Sequence, residues 1–154
     1  SVVNMSLVQE GNASQNKDST LFSKLGGPKG VETVVEEFYT RLLADEKTAP
    51  FFQGIDMAHL KRHQVEFMKI AFTQIPEDLD VPTFILKKHA RLFKMGLNQT
   101  HFDAVAGHFV GACKELGVGQ NLIDEAVAVL VPLRGVFEEG AKAYAATTTA
   151  KMEK

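Results

Sequence analysis

Two histidines lie beside apolar stripes that are spaced for helices. At about 100° per residue, Leu60 and Phe67 share one helix face, and His63 lies at its edge, three residues after the first and four before the second. His89 falls in the middle of a second stripe rather than at its edge. Imidazole in such places either completes a packed core or binds something. The second stripe is formed by Ile85, Leu86, Leu92 and Phe93.

The binding chemistry open to these imidazoles is metal ligation. His59 and His63, four residues apart, could hold zinc, but no carboxylate or thiol at a suitable spacing completes such a site. His63 and His89, facing each other across an apolar slot, could instead hold one transition metal from both sides. Haem brings four in-plane nitrogens of its own and needs only one or two such ligands. The aromatic residues available for the slot are Phe38, Phe51, Phe52, Phe67, Phe84, Phe93 and Phe109.

Composition argues against several other classes of function. With 17 Lys and Arg against 19 Asp and Glu, the chain lacks the basic stripe that suits nucleic acid. Its longest apolar run, residues 126–133, is far shorter than the roughly 20 residues of a membrane span. Cys113 lies on an apolar helix face, as an inert thiol does, and a lone cysteine is compatible with a reducing compartment. We expect a cytoplasmic monomer without nucleic-acid or membrane partners.

The elements that must position these residues are helices almost throughout. Residues 1–19 are mostly polar and predict a flexible extension, whereas helical periodicity runs through residues 20–146 as one all-α domain. Residues 147–154 are expected to form a tail. Asp56 and Asn98 each precede an apolar periodic segment and are predicted to cap its helix.

Three further expectations concern individual helices. Residues 83–94 are predicted to form one helical piece with His89 in its middle. The long helix that follows should turn Leu116 inward. Residues 122–133 are apolar on nearly every side, so this last helix should be central, with a bend at Pro132.

Several segments, in order and with similar spacing, resemble the truncated haemoglobins, and most closely their group I. They are "LFSKLGG", "EEFYTRLLAD", "APFFQGIDM", "LKRHQVEF", "HFDAVAGHF" and "VLVPLRG", and the resemblance covers about residues 20–140. It implies a two-over-two sandwich of α-helices. The chain departs from the family where a second Gly-Gly normally follows the distal helix, because it reads "AFTQIPEDLD" there, so that loop must close differently.

The resemblance implies roles for individual residues. His89 matches the proximal haem ligand, and Phe52 matches the aromatic residue that wedges against the haem. Tyr39 matches the distal tyrosine that donates a hydrogen bond to a bound ligand, while Leu60 and Gln64 match two further distal positions.

Some of the five histidines are expected to ligate the haem iron, and the others are expected to have surface or structural roles. His63 lies where some cyanobacterial members carry a sixth iron ligand, and His59, further round the helix, is the weaker alternative. A partly buried surface role for His63 stays open. His101 and His108 are expected to be surface or structural residues. No histidine follows His108, so the resemblance implies a non-covalent haem b rather than one attached through the last helix.

Further side chains are expected to surround the cofactor. Arg91 and Lys94, with Lys87 or Lys88, place positive charge suited to the haem propionates, although exposed cations can equally be solvated surface. The apolar wall is expected from Phe67, Met68, Phe84, Ile85, Phe93 and Val105.

The resemblance implies a haem protein that binds the diatomic gases oxygen, nitric oxide and carbon monoxide. As an enzyme it would convert nitric oxide and oxygen to nitrate with an external reductase, Tyr39 and Gln64 stabilising the charge that develops on the ligand. A module for electron transfer or redox sensing is the alternative, because two imidazole ligands keep iron low-spin. A helical interaction protein that inherited the fold is a third reading, and failure to take up hemin would favour it.

Overall fold

The computed structural model describes the backbone of residues 20–153 and the side chains of residues 20–146. The predicted extension at residues 1–19 lies outside the described residues. Within them the fold is all-α, as predicted, with two short 3-10 turns at Ala49–Phe52 and Val131–Leu133 and no strand. The α-helices are α1 (Leu21–Lys24), α2 (Gly27–Ala44), α3 (Met57–Ala71), α4 (Val81–Lys88), α5 (Ala90–Lys94), α6 (Gln99–Glu115), α7 (Gln120–Leu130) and α8 (Arg134–Glu153).

Side-chain caps set where the site-bearing helices begin. The Asp56 carboxylate accepts a hydrogen bond from the His59 backbone N–H (3.2 Å) and starts α3. The Asn98 side chain starts α6 within a capping box that His101 completes. Both predicted caps are therefore confirmed. Asp80 caps α4 in the same way, because its side chain accepts from the Thr83 backbone N–H.

The helices pack as two pairs. Helix α2 packs against α3 and α6, while α8 packs against α6 and against the short helices α4 and α5. Two apolar clusters result. One joins α2 to α6 and α7 through residues such as Val35 and Phe109, and the other joins α4 and α5 to α8 through residues such as Ile85 and Phe137. A cavity separates the two clusters, and it contains the site described below.

The structure corrects three expectations about the helices. His89 does not lie inside a helix but at a break, where it ends α4 and begins α5. Leu116 is 41% exposed, because α6 ends at Glu115 before completing the turn that would bury it. Helix α7 is not central: it buries only Ile123 and Ala126, since it packs on one side against α1 and α6, and Val131 just beyond it is 59% exposed.

The sequence predicts one helix that bends at Pro132, whereas the structure has two helices separated by a turn there. Helix α7 ends at Leu130, a 3-10 turn of three residues follows, and α8 starts at Arg134. The backbone of α8 is helical through Glu153, past the domain boundary predicted at residue 146. No helix among the described residues is long and apolar enough to cross a membrane.

The junction of α1 and α2 depends on a glycine. A Cβ on Gly30 would overlap the carbonyl oxygen of Leu25, which is backbone and cannot turn aside. A Cβ on Gly107, in α6, would meet nothing within 4 Å. We therefore expect Gly30→Ala to lower the free energy of unfolding by about 1–3 kcal/mol in urea titrations.

The matched control is Gly107→Ala, which should leave stability equal or raise it by up to about 1 kcal/mol, because alanine is the better helix former. Equal stability of the two variants would show that the close approach at Gly30 is not required.

Candidate functional site

A cavity of about 800 Å³ lies between α2 and α3 on one side and α4, α5, α6 and α8 on the other. Its size falls within the range of about 300–1,000 Å³ that is typical of cofactor and ligand sites. Most of the predicted site residues line it, and its walls are mainly apolar. Those residues are Tyr39, Phe52, Leu60, His63, Gln64, Phe67, Met68, Phe84, Ile85, His89, Arg91 and Val105.

His89 reaches the cavity from the break between α4 and α5. Its Nδ1 lies 2.8 Å from the backbone carbonyl oxygen of Ile85, which can only accept, so Nδ1 carries the proton. Burial lowers the pKa of His89 below its ordinary value, against a smaller opposing effect of that hydrogen bond. The imidazole is therefore neutral at pH 7, and its Nε2 lone pair is free to ligate a metal.

Two aromatic residues pack against the His89 ring. Phe137 packs edge-on against it with ring centroids 5.0 Å apart, and Phe93 lies 6.5 Å away. The Phe93 ring in turn lies on α8 at Gly140, where any Cβ would overlap it. Phe93 therefore supports the histidine but does not line the cavity, in contrast to the wall position expected from the sequence.

A polar pair reaches the cavity from α2 and α3. The Tyr39 hydroxyl donates to Oε1 of Gln64 at 3.3 Å, and its ring packs edge-on against Phe52 with centroids 5.6 Å apart. Tyr39 is only 4% exposed, and burial raises its pKa far above the usual value. The hydroxyl therefore stays protonated and can donate a hydrogen bond. The Gln64 amide nitrogen can donate as well.

His63 and His59 both stand at the rim of this cavity. Their side chains are exposed, and their ring centroids are 4.2 Å apart. The sequence placed His59 further toward solvent, whereas the structure brings both imidazoles to the rim. Within residues 20–153, no three His, Cys, Asp or Glu side chains are grouped so that they could hold a bare metal ion.

Charge at the rim comes from fewer residues than expected. Arg91 and Lys88 line the cavity, and the Lys88 ammonium lies 5.6 Å from the centroid of the Phe84 ring. Lys94 is exposed and does not line the cavity, so the structure does not support its predicted place beside the cofactor. Phe84 itself stacks in parallel with Phe67, with centroids 6.3 Å apart.

The two remaining histidines have structural partners, as expected. Nδ1 of His101 accepts from the Asn98 backbone N–H at 3.1 Å, although the residue also reaches the cavity wall. Nε2 of His108 lies 2.7 Å from the Asp45 carboxylate, and this contact ties α6 to the turn after α2.

Sequence reasoning missed Phe137, which supports His89 and lines the cavity. A helix face is marked by the spacing of Val136, Phe137 and Gly140. These residues follow Pro132, near which the helix predicted from the sequence ends, so they were not assigned to the site. Phe102 and Leu97 were also missed as wall residues.

Comparison with known proteins identifies the family. Residues 20–138 match the model of the bacterial-like globin family. The group 1 truncated haemoglobin GlbN of Synechocystis is 40% identical over 112 residues, which are 72% of this chain and 89% of that protein. The Tetrahymena pyriformis group 1 truncated haemoglobin is 33% identical over 117 residues, 75% of this chain and 91% of that protein.

Solved structures agree. The crystal structure of Chlamydomonas reinhardtii THB4 superposes with a TM-score of 0.67 at 46% identity, covering 77% of this chain and 94% of that one. The 2/2 haemoglobin of Synechococcus, whose haem is covalently attached and in the cyanomet state, superposes with a TM-score of 0.69 at 38% identity, covering 77% of this chain and 98% of that one.

The site fits the cofactor of this family. One neutral histidine with a free Nε2, an apolar cavity and cations at its rim suit a haem, which supplies its remaining ligand nitrogens itself. After His108 the chain has no histidine, in keeping with a haem held without a covalent bond through that residue type. The chain belongs to the bacterial-like globin family, as a group 1 truncated haemoglobin with a two-over-two fold and a non-covalent haem b.

Proposed function

We propose that this protein binds oxygen and nitric oxide at its haem and converts them to nitrate. The observation that carries the proposal is the hydrogen-bonded pair Tyr39 and Gln64, which reaches the same cavity as His89. When bound, the haem iron supplies the redox chemistry, in which nitric oxide, oxygen and one electron give nitrate. The electron comes from an external reductase.

The residues around the cavity supply orientation and polarity. The Ile85 carbonyl holds the N–H of His89 and makes its Nε2 a stronger donor, so this histidine would hold the haem iron when the cofactor is bound. The Tyr39 hydroxyl, kept protonated by burial, donates to the ligand as negative charge develops on it. The apolar walls exclude water, which strengthens that hydrogen bond.

We further propose that His63 ligates the haem iron as a sixth ligand in the resting protein. Its side chain lies at the rim of the cavity that His89 enters, and among the described residues its ring packs against His59 and makes no hydrogen bond or ion pair. An internal ligand must leave before a gas binds, so the apparent affinity falls by the fraction of molecules in the open state. Tyr39 and Gln64 then serve the incoming ligand.

The same observation supports a second candidate function. Two imidazoles at one cavity would keep the iron in similar geometry in both oxidation states, which favours electron transfer or redox sensing without turnover. Nitrate production separates the two candidates.

Replacing His89 tests the axial assignment. His89→Gly should lose haem during gel filtration, and 10 mM imidazole should restore the bound haem and its absorption bands, because free imidazole can occupy the vacated place. His108→Gln, whose residue lies outside the cavity lining, is the matched control and should keep the wild-type spectrum. Full haem retention by His89→Gly without imidazole would contradict the assignment.

Replacing Tyr39 tests the distal hydrogen bond and the reaction together. Mixing the oxygenated protein with nitric oxide should give one nitrate per haem. Tyr39→Phe should release oxygen at least about 10-fold faster in stopped flow, since a hydrogen bond to a charged group contributes about 1.5–3 kcal/mol. Tyr144→Phe, whose residue lies outside the cavity wall, is the control. Absence of nitrate from the wild type would favour electron transfer instead.

Replacing His63 tests the resting coordination. His63→Leu should change a six-coordinate low-spin spectrum into a five-coordinate or water-ligated one, and carbon monoxide should bind the ferrous form at least about 10-fold faster because no internal ligand must leave. His59→Leu should keep the low-spin bands. A wild type that is already five-coordinate in both oxidation states would refute the sixth-ligand role.

A further inference from the structure

Positive charge is concentrated on one short stretch of this chain. Residues 81–102 contain four basic residues and no Asp or Glu, although the whole chain has a net charge of −2. The stretch spans α4, α5 and the start of α6. We call its exposed part the basic face, which consists of Lys87, Lys88, Arg91, Lys94 and Met95.

The cations of the basic face lack acidic partners, whereas half of the ten other Lys and Arg residues among residues 20–146 have one. No carboxylate lies within 4.0 Å of their charged groups among the described residues, and all four side chains are exposed. Elsewhere in the structure, salt bridges to Asp or Glu engage Lys24, Arg41, Lys61, Arg134 and Lys142.

The basic face also contains an apolar centre. Met95 is 46% exposed, and its sulfur lies 3.6 Å from an Arg91 guanidinium nitrogen. Methionine and arginine are enriched in protein interfaces, whereas unpaired surface lysines favour encounter with a partner of opposite charge. The combination suits a small interface with an apolar centre and a charged rim.

This face adjoins the cofactor cavity but exceeds what the cofactor can use. Lys88 and Arg91 line the cavity, where they can meet the haem propionates. Lys87 and Lys94 lie outside the cavity lining, so their charges are available to interact with another molecule. A partner on this face would sit beside the wall that carries His89.

We propose that the basic face docks the acidic surface of a small protein that donates single electrons to the haem. The inference rests on the proposed function, whose reaction consumes one electron for each nitric oxide. The donor loses one electron and the ferric iron gains it, so no other reactant is needed. Transient redox complexes of this kind use interfaces below about 1,200 Å² and depend on charge.

The test measures reduction of the ferric holoprotein by a reduced acidic plant-type ferredoxin or by an acidic flavodoxin in stopped flow. The second-order rate should fall steeply with ionic strength. At low ionic strength Lys87→Glu with Lys94→Glu should lower it at least about 10-fold. The control, Lys29→Glu with Lys114→Glu, changes net charge equally at exposed positions outside the cavity lining and should lower the rate less than about twofold.

Two further measurements separate docking from effects on the haem. Reduction by photoreduced lumiflavin, an uncharged donor, should be equal in all variants. Titration calorimetry of the oxidised ferredoxin into the ferric protein, where no electron moves, should show weaker binding for the Lys87/Lys94 variant only.

Each contrary result overturns the proposal. Equal losses in both double variants would show that net charge alone matters. Wild-type rates independent of salt with both acidic donors would exclude docking on this face. Patch-dependent co-sedimentation with phosphatidylserine vesicles, without an effect on the ferredoxin rate, would assign the face to a membrane surface. Failure to form nitrate refutes the proposed reaction and leaves these rates unaffected, so the two failures are distinguishable.

Discussion

The hydrogen bond between the Ile85 carbonyl and the His89 imidazole is the interaction on which the site depends. That carbonyl accepts twice, from the His89 backbone N–H at 3.0 Å and from Nδ1 at 2.8 Å. The first bond closes the last turn of α4, and the second selects the tautomer whose Nε2 is free. One oxygen atom thus sets both where α4 ends and which ring nitrogen of His89 is left free. The break at His89 is therefore part of the site rather than an irregularity of the helix.

The rest of the fold keeps this imidazole in place and leaves room before it. Behind the ring, Phe137 of α8 packs against His89 and Phe93, and Gly140 permits the close approach of Phe93 to α8. In front of the ring a cavity lies between the two apolar clusters, since α2 and α3 stand on its far side. Packing thus both supports the His89 ring and leaves the cavity open. From α2, the buried Tyr39 brings a hydroxyl donor to this cavity.

Much of this arrangement was predictable from the sequence, because it follows from local rules. Periodicity predicted the helices, and the polar residues Asp56 and Asn98 predicted two of their caps. The position of His89 at a helix break was not predictable from its stripe, since the apolar spacing continues through the break. Burial of α7 was overestimated because hydrophobicity alone does not tell which neighbours cover a helix, and only two of its residues are buried.

The candidate site shows the same division between local and tertiary information. Residues that the sequence assigned to the pocket, such as Gln64 and Val105, do reach the cavity. Lys94 does not, because the face that a short helix presents depends on how it docks against α8. Phe137 was missed for the converse reason: it is distant in sequence and meets His89 only through tertiary packing.

The central claim is that a neutral His89, whose Nδ1 proton is held by the Ile85 carbonyl, would ligate the haem iron through Nε2. Proton and nitrogen NMR of the ferric low-spin protein, labelled with ¹⁵N at histidine and kept in water, tests it most directly. The account predicts one hyperfine-shifted Nδ1–H signal that disappears in the His89→Gly protein with imidazole and shows a nuclear Overhauser contact to Ile85. If no shifted histidine N–H is lost in that variant, or if the lost signal contacts no residue of α4, the account is contradicted.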